Sequence, residues 1–99
     1  MLIHKHRIAI LPSSGVGSAN TLKFSGAELS QVFAKATTST TNYDIRLEDE
    51  DGDIVYEALN IENDYRDDNV DMPLRGIYTI RIFNASVDEN ITVKLMVNE

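Results

Sequence analysis

Apolar side chains recur at every second position in three segments of this chain. Side chains two apart project from the same face of an extended backbone, so this period marks strands with one face in a core. In Asn42–Glu48, Tyr43, Ile45 and Leu47 alternate with Asp44, Arg46 and Glu48, predicting a strand with an apolar inner and a charged outer face. Across residues 77–83, Tyr78, Ile80 and Ile82 form one face and Ile77, Thr79, Arg81 and Phe83 the other. This second face is mixed, which predicts that something covers it. Over Ile91–Asn98, Ile91, Val93, Leu95 and Val97 alternate with Thr92, Lys94, Met96 and Asn98, a strand that closes the domain.

The intervening stretches are rich in turn formers. Residues 49–53 separate the first of these strands from Ile54, Val55 and Tyr56, and Gly52 supplies the positive φ that a tight connection needs. Residues 84–90 join the last two strands, and both connections predict hairpins. Upstream, residues 6–11 read as a strand, 12–18 as a loop and 21–24 as a shorter strand. Residues 29–36 are ambiguous. Leu29, Val32, Phe33 and Ala36 have helical spacing, and Ser25 with Glu28 makes a capping box. The run leads into Thr37, Thr38, Ser39, Thr40 and Thr41, which favour extended chain, so a strand is expected. Residues 59–74 are polar and acidic and contain Pro73, which predicts a long connection crossing between sheets. The expected fold is all-β: one antiparallel β-sandwich domain over residues 1–99, jelly-roll-like or Ig-like, with about seven or eight strands.

Composition narrows the function classes. At 99 residues, with 42% hydrophobic and 25% charged side chains, the chain has the make-up of one globular domain, neither disordered nor membrane-like. The absence of cysteine excludes disulfides, thiolate metal sites and a cysteine nucleophile. The formal charge is -7 and the cations look scattered along the chain, so neither nucleic acid nor membrane is an expected partner. Acid is concentrated: residues 44–71 carry 12 of the 16 carboxylates against only Arg46 and Arg66. Near the start, Lys5 and Arg7 precede an apolar run far shorter than a signal-peptide core, and synthesis in the cytoplasm is expected.

Candidate chemistry is sparse. His4 and His6 share a strand face, but a metal site needs a third ligand and the chain has no other histidine. Asp49, Asp51 and Asp53 alternate like the oxygen ligands of a calcium loop and are the candidate metal ligands, although Gly52 precedes Asp53 and Leu59 stands where an EF-hand has glutamate. Residues 13–18 resemble a phosphate-binding loop without its lysine or following helix. No Ser-His-Asp arrangement is available, and the chain is expected to be non-enzymatic and to carry no cofactor. Asn84-Ala85-Ser86 and Asn90-Ile91-Thr92 match glycosylation sequons, which matter only in a secreted protein. Tyr43, Tyr56, Tyr65 and Tyr78 offer either a sugar-binding face or core packing, and Tyr43 and Tyr78 share the core period.

The stretch Gly76-Ile77-Tyr78-Thr79-Ile80-Arg81-Ile82, with Thr92-Val93-Lys94-Leu95-Met96-Val97, resembles the closing strands of bacterial pre-peptidase C-terminal-type β-sandwiches. Together with Tyr43-Asp44-Ile45-Arg46-Leu47, the Asp51-Gly52 turn and Ile54-Val55-Tyr56, it is also similar to small β-sandwich proteins of tailed-bacteriophage virions. This resemblance implies a virion location and a structural role. The expected partner is the major capsid protein, which the chain decorates or cements, or other virion proteins of the neck or tail. It also implies a homo-oligomer or symmetric array. The expected contact residues are Met1, Leu2 and Ile3, with Ile77 and Phe83 from the mixed face. A carbohydrate- or ligand-binding sandwich module is the competing class.

Overall fold

The computed structural model describes residues 3–38 and 40–99; Met1, Leu2 and Ser39 lie outside the described residues. Among the described residues nine strands follow one another: β1 Ile3–Ile10, β2 Gly17–Asn20, β3 Phe24–Ala36, β4 Asn42–Glu48, β5 Ile54–Glu62, β6 Asp64–Asp67, β7 Met72–Gly76, β8 Thr79–Phe83 and β9 Ile91–Asn98. Sheet 1 has the order β1-β9-β3-β6, with β7 also paired to β3, and sheet 2 has the order β2-β8-β4-β5. Every pairing is antiparallel. The chain changes sheet at almost every connection, and this order is that of a jelly roll.

The inner faces carry the core. Leu29, Val32, Ala34, Ile91, Val93, Leu95 and Val97 from sheet 1 meet Tyr43, Ile45, Leu47, Ile80 and Ile82 from sheet 2 in one buried cluster. The alternating segments therefore bury the faces that their period predicts, and β4 and β9 have the expected limits.

The strand expected over residues 29–36 forms, but it merges with Phe24 into one strand of 13 residues, and residues 21–23 lie outside any strand. The helix-like spacing of Leu29 and Val32 comes from a β-bulge: the β3–β9 register shifts between Leu29 and Gln31, so two buried residues fall three apart in a strand. The second expected hairpin does not form. β8 pairs with β2 and β4 in sheet 2, whereas β9 pairs with β1 and β3 in sheet 1, so residues 84–90 cross the sandwich. Both strands bury a full apolar face, and facing sheets satisfy both faces at once. The acidic stretch 59–74 is not one long connection. It holds the end of β5, all of β6 and the start of β7, and Pro73 is accommodated because β7 pairs on one side only. β2 begins at the end of the expected loop 12–18 and runs past it, and the strand count among the described residues rises to nine. Gly17 opens β2 because a Cβ there would lie 2.9 Å from Ile10 Cγ2 and 3.1 Å from Pro12 Cα.

Candidate functional site

The expected contact residues do not converge. Ile3 is 60% exposed on the edge strand of sheet 1, and Ile77 is 38% exposed just before β8. Phe83 sits at the far end of β8, half-buried, with the Arg46 guanidinium 4.5 Å from its ring centre. Met1 and Leu2 fall outside the described residues. The mixed face is covered by its own charges: Arg46 pairs with Glu57 at 3.1 Å and Arg81 with Glu48 at 3.2 Å.

Asp49, Asp51 and Asp53 do come together, each offering a carboxylate oxygen within 4.8 Å of the others. Turn geometry accounts for the cluster. Asp49 Oδ1 accepts the N–H groups of Asp51 and Asp53, both at 2.9 Å, and the Asp49 N–H donates to the Asp53 carbonyl. Glu50 completes this end of the sandwich by accepting the Ile77 N–H at 2.7 Å. These three aspartates are the side chains that could hold a hard cation, although the most buried of them is already occupied by the backbone.

His4 and His6 lie on one face of β1 with ring centres 6.5 Å apart, but they take different partners. His4 Nε2 is 3.2 Å from Glu99, and His6 packs edge-on against Phe24 at 5.1 Å.

The tyrosines turn inward. Tyr43 donates to the Asn63 carbonyl at 2.7 Å, and Tyr78 accepts the Arg75 N–H at 3.0 Å. Tyr56 on β5 and Tyr65 on β6 share a hydrogen bond of 2.5 Å, and Tyr56 donates to Asp67 at 2.8 Å. This cluster ties the edge of sheet 2 to the edge of sheet 1. Burial, then the hydrogen bonds to Tyr65 and Asp67, hold the Tyr56 phenol well above its ordinary range. The half-buried rings therefore do not present the flat exposed platform that sugar stacking requires.

Hydrogen bonds of this kind hold several carboxyls down. Asp67 lies below its ordinary range because Tyr56 and then the Asn69 N–H donate to it. Glu89 is lowered first by the Thr41 hydroxyl and then by the Thr38 N–H, and Glu48 by Arg81. A folded-state pKa below the unfolded one means that the unfolded chain takes up protons first as pH falls. Their stabilisation is complete above the ordinary carboxylate range and is lost as pH drops through the folded values. The melting temperature should accordingly be flat from pH 7 to about 5 and fall below that, and Glu89→Gln and Asp67→Asn should each flatten the fall. Melts run at pH 3 to 7 check this. A decline unchanged in both variants refutes the assignment.

Sequence order hid a second feature. The cations that look scattered along the chain are gathered by strand pairing on the outer face of sheet 1. Arg7 lies opposite Lys94, Lys94 opposite Phe33, and Phe33 opposite Arg66, a single row across β1, β9, β3 and β6. Lys5 and Lys35 occupy the rows on either side. Five of the nine cations thus share one face of a protein with a net charge of -7. Only a knowledge of which strands neighbour one another would have revealed it. Neither a protein-family model nor a curated protein matches this chain.

Proposed function

We propose that this chain is a non-enzymatic structural protein that docks in many copies on the proteins of a larger assembly, of the kind that decorates or cements a tailed-phage capsid on its major capsid protein. The carrying observation is the apolar strip on β5. Ile54, Val55 and Leu59 are 51%, 37% and 53% exposed on an edge strand that pairs with β4 alone. An unpaired edge with large apolar side chains attracts other chains, and soluble proteins usually blunt it. Here β5 bulges between Ile54 and Tyr56 and between Ala58 and Ile61 where it pairs with β4, which bends the edge and disfavours simple strand-on-strand pairing, while the apolar side chains stay outside. A neighbouring subunit that covers them gains apolar burial without extending the sheet. The jelly roll is also a common scaffold for capsid proteins.

Leu59→Glu combined with Val55→Lys should cut incorporation into particles about tenfold while moving the melting temperature by roughly 2 °C or less, since both side chains lie on the surface. Mass analysis of purified particles measures copy number: hundreds of copies fit shell decoration, and six or twelve fit a neck or tail position. Full incorporation of the double variant removes this edge from the docking surface.

A further inference from the structure

We infer that the outer face of sheet 1 carries a binding site for a tetrahedral oxyanion, a phosphate or sulfate group, held by Arg7, Lys94 and Lys35. Arg7 and Lys94 are directly opposed across β1 and β9. Side chains in such positions lie about 5 Å apart at Cβ, and like charges there repel and destabilise the sheet. Lys35 stands diagonally from Lys94, opposite Thr92 on β3. The three border a hollow of about 250 Å³ whose polar lining is completed by Thr37, Asn90 and Thr92.

Their lack of partners is the telling feature. The chain has 16 carboxylates for nine cations, and Arg46, Arg66 and Arg81 each hold one. Among the described residues, Arg7, Lys35 and Lys94 make no ion pair, although Asp64 lies opposite Lys35 across β3 and β6. Three cations that make no ion pair, with Asp64 the one carboxylate opposite any of them in register, leave a local positive potential that an oxyanion relieves. Arg7 can present two parallel N–H donors, the lysines act as mobile point charges, and Thr92 lines the same hollow with a hydroxyl able to donate. The hollow exceeds a bare phosphate in size, so an ester fits as well as the free ion. The site lies on sheet 1, away from the β5 edge of sheet 2, and stands independently of the docking reading.

Thermal melts and calorimetric titration at constant ionic strength test it, with chloride, inorganic phosphate, sulfate and glucose 6-phosphate as probes. In 20 mM phosphate the wild-type melting temperature should exceed its chloride value by roughly 3–8 °C, with one site per chain in the titration. Lys94→Met should abolish both the shift and the titration heat, yet melt above the wild type in chloride because its repulsion with Arg7 is gone. Lys23→Met, a cation elsewhere on the surface, should keep the full response. Tighter binding of the sugar phosphate assigns the site to esters, and equal binding assigns it to the free ion. No phosphate-specific shift, or a shift that survives Lys94→Met as it does Lys23→Met, overturns the site, since general salt effects act on both variants alike.

Discussion

Replacing Ile80 with alanine is expected to cost about 3–4 kcal/mol, in the upper half of the range for truncating a buried aliphatic side chain. Ile80 is fully buried on β8, flanked in register by Leu47 of β4 and Ala19 of β2, and it points at the opposite sheet. The vacated volume cannot be filled by local collapse, because β8 is hydrogen-bonded on both sides and neither neighbour can move inward alone. A domain of this size has a total stability of about 5–10 kcal/mol, so one substitution removes a third or more of it. The melting temperature should fall by roughly 15–25 °C. Leu22→Ala serves as the control: Leu22 is 72% exposed, and its truncation should change stability by less than about 0.5 kcal/mol. Urea unfolding of the three proteins gives the comparison, and a cost below about 1 kcal/mol for Ile80→Ala would show that β8 is not clamped between β2 and β4 as described.

The alternating period was enough to identify the strands that build this core, because a half-buried strand displays its inner face in sequence. Tyr43, Ile45 and Leu47, and Ile91, Val93, Leu95 and Val97, are buried as their spacing requires. Period says nothing about which strand lies beside which. Spacing alone therefore pairs β8 with β9, since a seven-residue connection serves a loose hairpin and a sheet-to-sheet crossing equally well. Local irregularity misled in the opposite direction. The bulge near Ser30 placed Leu29 and Val32 on one face at a spacing that belongs to helices. The sites divide in the same way. Asp49, Asp51 and Asp53 are close in space because they are close in sequence, so the cluster was legible. Arg7, Lys35 and Lys94 come from three strands spread over most of the chain, and only the antiparallel register brings them together. A side chain that alternates out of the core can still be partly covered, as the half-buried Phe83 is by Arg46.

Asp44 carries that last point to its largest consequence. It alternates onto the charged outer face of β4 opposite Phe83, yet it is only 8% exposed. Its Oδ1 accepts the Asn60 N–H at 2.7 Å and its Oδ2 accepts the Asn84 side-chain amide at 2.8 Å. Both asparagines have left-handed backbones, with φ of 57° and 54°, a conformation that most residues other than glycine avoid and that asparagine adopts at a smaller cost. One carboxylate therefore holds two turns in place: the β5 bulge at Asn60 and the exit from β8 at Asn84, where the chain sets out across the sandwich. Asp44→Ala removes both acceptors and leaves the Asn60 N–H without its partner, at an expected cost of about 2–3 kcal/mol. Asp44→Asn keeps one acceptor oxygen for Asn60 and an amide that can pair with a reoriented Asn84, and should cost roughly 1 kcal/mol. The loss should also be local, so amide exchange in the alanine variant should quicken at residues 58–61 and 84–86 before it does in β9. Equal costs for the alanine and asparagine variants, or uniform exchange across both sheets, would mean that Asp44 is merely a tolerated carboxylate and that the two left-handed asparagines are held by something else.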